Sequence, residues 1–258
     1  MTFDSGFSHH SECPECGSSD AMAVYKDGGR HCFGSGCNYH LSGSNIEVEQ
    51  APTTESGKPV DMSGIIAGIP ERKISGDTCK HYQVTVTYDS KGKIERHHYP
   101  YYNTETGELV ASKVRQVPTK GFFASGSLKS TGLFGQHQCR GTGKFVTITE
   151  GELDALSVYE MFGQKFDVVS LKTGAAGAVK EIKEQLEWLE NYETVVLCFD
   201  QDKAGELAVE QVKDIFSPNK LKVCKLPLKD ASEMLVANRV KEFVQNWWDA
   251  KVYRPDGI

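Results

Sequence analysis

The sequence predicts a multidomain α/β protein: a small cysteine-rich β module, a flexible linker, and a mixed α/β domain that ends in a parallel sheet. Three observations carry this. Four of the eight cysteines fall as two close pairs within the first forty residues. A stretch rich in Ser, Thr, Gly and Pro follows them. From Lys144 onward, apolar β-type runs alternate with helical segments, the pattern of a parallel sheet covered by helices. At 258 residues the chain is long enough for two or more domains.

The cysteine pairs are Cys13-Pro-Glu-Cys16 and Cys32-Phe-Gly-Ser-Gly-Cys37, two knuckles fifteen residues apart. Four thiolates at this spacing can close a tetrahedron around one structural Zn²⁺. Gly17, with Gly34 or Gly36, supplies the tight turns each knuckle needs. A forty-residue module with little apolar content builds no core of its own, so the metal contributes folding energy. The second knuckle is longer than the commoner two-residue spacing, which leaves His31 and His40 as alternative ligands. Cys79, Cys139, Cys198 and Cys224 are scattered and read as ordinary thiols. Residues 42–60 read as a coil; about 18 such residues span roughly 20–25 Å, so the module is expected to be tethered.

Composition bounds the rest. The chain is 39% apolar and 25% charged, as in a soluble globular protein. No run approaches the 18 apolar residues of a membrane span, and residues 1–15 lack the apolar core of a secretory signal. A cytoplasmic location is expected, with metal or free thiols rather than disulfides. The net charge of −6 hides a segregation. Residues 1–60 hold 3 basic and 8 acidic residues, residues 61–142 hold 11 and 7, and residues 143–258 hold 15 and 20. Between Leu109 and Thr142 stand Lys113, Arg115, Lys120, Lys129 and Arg140, with no acid among them. Charge of one sign collects where a polyanion could lie.

In the middle segment, 83–88 and 94–102 alternate like antiparallel strands around an Asp89-Ser90-Lys91-Gly92 turn, and 109–117 reads as a third strand. Lys113 and Arg115 fall on one face of it, with Phe122 and Phe123 nearby. Beyond, strands are expected at 144–149, 167–171, 194–199 and 221–226. Helices are expected at 152–162, 177–190, 203–216 and 231–248. Tyr253 to Ile258 reads as an exit strand or linker. The chain shows no internal repeat, and Gly141-Thr142-Gly143-Lys144 lacks the spacing of a P-loop.

Two acidic clusters follow the apolar runs 144–148 and 194–198: Thr149-Glu150-Gly151-Glu152-Leu153-Asp154 and Phe199-Asp200-Gln201-Asp202-Lys203-Ala204-Gly205. Carboxylates at the carboxyl ends of parallel strands collect in the crevice where such sheets bind ligands. Several acids there repel one another unless a cation sits among them, which points to Mg²⁺-dependent phosphate chemistry. The simpler reading, charge near helix N-termini, suits Glu152 and Asp154 best. Asp230 stands after the next strand, as an N-cap completed by Glu233 or as a further site acid. The small residues of 170–177 either enter a helix plainly or bring amides to the acidic loop or a phosphate.

Glu150-Gly151-Glu152-x-Asp154 and Asp200-x-Asp202-x-x-Gly205 resemble the two signatures of the Toprim domain of DnaG-type primases, type IA and II topoisomerases, some nucleases and RecR mediators. With the four-cysteine ribbon in front, the chain resembles the primase half of the T-odd phage primase–helicases over nearly its whole length. Leu133-Phe134-Gly135, Lys229-Asp230-Ala231 and Pro255-Asp256-Gly257 look similar too, the last resembling the entry to the helicase linker, so that a primase-only fragment or short form is expected. The resemblance implies a zinc-binding ribbon at 1–41, a linker at 42–61 and a polymerase domain. That domain comprises a basic β-rich subdomain at 62–142, a Toprim subdomain at 143–228 and a C-terminal helix with exit linker at 229–258. It implies Glu150, Asp200, Asp202 and Asp230 as catalytic acids holding one or two Mg²⁺, with Mn²⁺ as an alternative ion. It implies Lys113, Arg115, Lys120 and Lys129 as contacts to nucleic acid or nucleoside triphosphate, and Arg30 and His31 in template reading. Gly29 stands where the family carries a histidine, and the long second knuckle departs from its spacing. The expected partners are a single-stranded DNA template, ribonucleoside triphosphates, a replicative helicase domain in the same chain or in trans, and a DNA polymerase that receives the primer. No membrane partner is expected, and the location is the cytoplasm of an infected bacterium. A non-enzymatic RecR-like mediator or a Toprim nuclease is the alternative.

Overall fold

The structure, a computed structural model, describes residues 7–19, 21–26, 28–33, 37, 39–41, 53–55 and 60–254. Gly34, Gly36, most of the expected linker and Pro255-Asp256-Gly257 lie outside the described residues. The chain forms two compact units, 1–50 and 51–258.

In the first unit, β1 (Phe7–Ser11), β2 (Met22–Tyr25), β3 (Arg30–Cys32) and β4 (His40–Leu41) form an antiparallel sheet in chain order. The first knuckle sits in the β1–β2 connection, where Gly17 adopts a left-handed φ of 68° and donates its amide to the Cys13 carbonyl. The buried apolar cluster among the described residues of this unit is Cys13, Met22 and Cys32. Two of its three members are knuckle cysteines, so apolar burial alone contributes little here.

The second unit opens with β5 (Thr53–Glu55), which pairs in parallel with β9 (Phe122–Gly126). Thus three residues inside the stretch expected to be linker belong to a sheet. Its other strands are β6 (Thr85–Tyr88), β7 (Ile94–Tyr102) and β8 (Leu109–Gln116), in the order β5-β9-β8-β7-β6. Helix α1 (Gly76–Tyr82) precedes them, capped by the Ser75 side chain. Strand β9 was not anticipated: Phe-Phe-Ala-Ser-Gly is short and does not alternate apolar with polar.

The parallel sheet has the order β11-β10-β12-β13, formed by β10 (Gly143–Thr149), β11 (Asp167–Ser170), β12 (Tyr192–Cys198) and β13 (Leu221–Val223). Its inner strands are buried on both faces, as parallel strands covered on two sides are. Val195, Leu197 and Val169 pack into one core with Ile182 and Leu189 of α3 (Ala178–Glu184) and α4 (Leu186–Glu190), and with Ala208 and Val212 of α5 (Lys203–Val212). Val196, Cys198 and Val168 face the other core. There they meet Leu156 of α2 (Glu152–Met161), Met234 of α6 (Ala231–Val236) and Trp247 of α7 (Val240–Asp249). The second core also takes Tyr82, Tyr99, Tyr101 and Phe134, so the β-rich segment and the parallel sheet share one interior.

Two expected helices are each two. The 231–248 segment breaks where Asn238 takes φ 58°: its amide donates to the Leu235 carbonyl and that of Arg239 to Met234, an αL helix stop. The 177–190 segment turns at Gln185, whose ψ is 12° and whose side chain accepts from Gln136. The 203–216 helix ends at Val212, and strand 221–226 at Val223. Gly135 (φ 81°) follows Phe134, which pairs with Ser170 at the β11 edge; a Cβ at Gly135 would strike the Tyr82 ring. Beyond α7, Val252 forms an isolated antiparallel bridge to Lys222 and the Tyr253 amide donates to the Leu221 carbonyl, so the exit segment touches β13 without forming a strand of its own.

Candidate active site

Strands β10 and β12 are neighbours, but their outgoing helices lead to opposite sides of the sheet: β10 leads to β11 on one flank, β12 to β13 on the other. Such a reversal opens a crevice at the carboxyl ends of the strands. Thr149 is level with Cys198, so the residues that follow them, Glu150 and Asp200, meet at the mouth of the crevice. Glu150 Oε1 accepts the Asp200 amide at 3.0 Å, and an amide from Ala175 also reaches its carboxylate. The small-residue turn after β11 therefore serves the acidic loop. A Cβ at Gly205 would run into the Asp200 carbonyl and the Glu150 carboxylate, which explains glycine at that position.

The other acids enter from helix starts. Asp202 caps α5, accepting from Ala204 and Gly205 amides, both at 3.0 Å. Asp230 caps α6, accepting from Glu233 at 2.7 Å, and Glu233 reaches back to the Lys229 amide. Asp154 Oδ1 accepts from Ser232 at 2.9 Å, tying α2 to α6. Burial, then the charges of Asp200 and Asp202, lift the Glu150 carboxyl to about 8. Burial, then Asp230, Asp200 and Glu150, push the Asp154 carboxyl well above its ordinary range. Asp154 thus belongs to the acid cluster rather than to plain helix entry; its place on the inner face of α2 is the signal that helix-end charge concealed.

Glu152 departs from its expectation in another way. It is buried, accepts from the Tyr101 hydroxyl at 2.6 Å and pairs with Lys113 Nζ at 2.9 Å. Lys113 Nζ also donates to the Lys172 carbonyl at 2.9 Å. Lys113, expected as a surface contact, is 7% exposed. It shares a face with Arg115 as foreseen: both cations lie over the Phe122 ring, at 4.7 and 5.4 Å from its centre. Arg115 is half-buried, while Lys120 and Lys129 are exposed.

The acids fit a divalent cation because their donor set is all-oxygen and their charge is mutually uncompensated. A protein cation stands among them: Lys229 Nζ lies 3.7 Å from Asp200 Oδ2 and 3.9 Å from Asp202 Oδ2. The acid cluster is open. Among the described residues, Cys13, Cys16, Cys32 and Cys37 form the one group of three or more metal-ligating side chains with all donor atoms within 4.8 Å. Cys13 and Cys37 sulfurs are 3.7 Å apart, as are those of Cys16 and Cys32. A tetrahedron with Zn–S bonds of about 2.3 Å has edges of about 3.8 Å, so the four thiolates suit zinc. His31 and His40 pack against each other, ring centres 5.5 Å apart, and His31 lies 4.5 Å from Phe33. Phe33 is 64% exposed, so this aromatic surface beside Arg30 faces solvent; the sequence reading had not included Phe33.

No helix among the described residues is long and apolar enough to cross a membrane. Cys16→Ser should release the zinc, read by metal analysis, while the melting transition of the 51–258 unit persists; retained zinc would contradict the four-thiolate site. Glu150 binds its proton more tightly folded, at about 8, than at its ordinary value of 4.5. The folded state then holds more protons in that window, so stability falls as pH rises through it. Zinc-loaded protein without added Mg²⁺ should melt lower at about pH 8 than at about pH 6, and Glu150→Gln should flatten this slope. An unchanged slope in the variant would contradict the shift.

A Toprim-like family model matches residues 147–235. The DNA helicase/primase of Enterobacteria phage T3 is 34% identical over 268 residues, covering 99% of this chain and 46% of that relative. The chain thus spans about half the length of the curated relative it matches. The primase fragment of the bacteriophage T7 primase-helicase superposes with a TM-score of 0.66 at 30% identity, covering 94% of this chain and 99% of that one. A T7 primase domain, from a structure with the lagging-strand DNA polymerase and an RNA/DNA hybrid, is 34% identical with a TM-score of 0.67, covering 74% and 94%. Near-complete coverage of the primase fragment at this identity, together with the Toprim match over the acid-bearing sheet, means that the chain belongs to the family of T7-type phage primases.

Proposed function

We propose that this chain synthesises short RNA primers de novo on single-stranded DNA, joining ribonucleoside triphosphates at the Glu150–Asp200 crevice. The observation that carries the reading is the gathering of Glu150, Asp154, Asp200, Asp202 and Asp230 at the sheet's switch point, with Glu150 lifted to about 8. Glu150, Asp200, Asp202 and Asp230 would hold one or two Mg²⁺, or Mn²⁺ in its place. A divalent ion there supplies neutralisation of triphosphate charge and acidification of the attacking 3′-hydroxyl. Arg115, Lys120 and Lys129 would contact phosphates of template, primer or triphosphate, while Lys113 is turned inward to Glu152. On the ribbon, one structural Zn²⁺ would support Arg30 and His31, with the exposed Phe33, in template reading.

The T3 and T7 relatives are helicase/primases, and the T7 primase domain is seen with a DNA polymerase. A replicative helicase domain and a polymerase that takes the primer are the partners this suggests, in the cytoplasm of an infected bacterium. One assay separates the readings: single-stranded DNA, labelled ATP and CTP, and Mg²⁺. Short RNA products mean primase, shortened DNA means nuclease, and binding alone means a RecR-like mediator. Asp200→Ala and Glu150→Ala should each cut dinucleotide synthesis by at least about 10²-fold with the melting transition retained. Normal synthesis by both would overturn the site.

A further inference from the structure

Lys229 is the cation that the acid cluster keeps for itself. Its backbone is fixed on both sides: its carbonyl accepts the Gln201 amide at 2.6 Å, and its amide donates to Glu233 at 3.3 Å. These bonds join the β12–α5 connection to the turn before α6, and neither uses the side chain. The ammonium, on a half-exposed stem, reaches Asp200 at 3.7 Å and Asp202 at 3.9 Å. Those are two of the carboxylates assigned to the divalent cation. One cation thus occupies charge that a metal would also need.

We infer that Lys229 is a metal-exchangeable counter-ion: it bridges Asp200 and Asp202 in the metal-free site, yields them to the divalent cation, and then contacts the triphosphate brought with it. The chemistry supports both halves. An exposed ion pair contributes at most about 1 kcal/mol, so Lys229 is displaced readily by a divalent ion that several oxygens coordinate. A lysine stem has four rotatable carbons and a strongly hydrated charge, suited to leaving one anion for another. The anchored backbone keeps the ammonium within reach of whatever the ion carries. Lys229 is accordingly a binding residue toward phosphate and a competitor toward metal, two effects of opposite sign on one side chain. The inference rests on the proposed divalent site.

The test measures Mn²⁺ alone, by electron paramagnetic resonance, on the zinc-loaded protein, and separately the KM for ribonucleoside triphosphate. Lys229→Gln should bind Mn²⁺ about three- to tenfold more tightly, the release of one to two weak ion pairs, while its KM for triphosphate rises. Lys229→Arg should restore both toward wild type. Lys225→Gln removes an exposed cation four residues upstream and should move neither. Mn²⁺ affinity unchanged or weakened in Lys229→Gln, an unchanged KM, or an equal effect from Lys225→Gln would overturn the inference. Asp200→Asn separates this from failure of the site itself. If wild-type protein binds no Mn²⁺ or Asp200→Asn binds it equally well, the divalent site fails. If Asp200→Asn loses Mn²⁺ but Lys229→Gln gains none, only the role of Lys229 fails.

Discussion

The rest of this structure depends on the repulsion among carboxylates brought together at one switch point. Parallel strands β10 and β12 deliver Glu150 and Asp200 side by side, and α2, α5 and α6 add Asp154, Asp202 and Asp230 at their first turns. Backbone amides and helix starts offset part of this charge. They do not offset all of it: burial first, and then this repulsion, make Glu150 and Asp154 hold their protons. A fold that gathers acids in this way gains stability from any divalent ion that binds the native state alone. Metal binding and the integrity of the crevice are therefore one equilibrium.

A second, opposite charge arrangement fastens the β-rich segment to the same site. Lys113, from the centre of β8, is buried against Glu152 and the Lys172 carbonyl, while Lys172 Nζ donates to the Thr131 carbonyl. The amides of Lys172 and Thr173 are held in turn by Glu181. A buried ion pair with its remaining hydrogen bonds satisfied is weak evidence for net stability, but removing one partner leaves an uncompensated charge. The arrangement therefore specifies how β8 meets α2. It presents Arg115, stacked on Phe122, at the edge of the acidic crevice's own unit, and leaves Lys120 and Lys129 outward.

Much of this was legible in the residues. Cysteine spacing announced the ribbon, strand–helix alternation announced the parallel sheet, and the two acidic clusters announced the crevice. What was not legible has physical causes. Lys113 looked like a surface cation because its partner Glu152 lies 39 residues away, and charge pairing at that distance leaves no local pattern. Glu152 and Asp154 were grouped as helix-entry charge, yet helix positions two apart diverge by about 200°. One turns to the β-rich segment and the other to α6. Asn238 was a readable helix stop, since Asn is among the few residues that tolerate the left-handed conformation. It was overridden by the long apolar pattern of 231–248. Strand β9 has no period-2 signal because Phe122 and Ala124 on one face and Phe123 on the other are all apolar, so neither face is plainly polar.

The proposed function requires that Glu150, Asp200, Asp202 and Asp230 hold a divalent cation between them. Crystals of the zinc-loaded protein soaked in Mn²⁺, with diffraction recorded on both sides of the manganese absorption edge, test it most directly. One or two manganese peaks are expected within about 2.5 Å of carboxylate oxygens from at least three of these four residues, with Lys229 turned away from Asp200. Manganese confined to other surface acids, or a crevice in which Lys229 still bridges Asp200 and Asp202 at saturating metal, would contradict it.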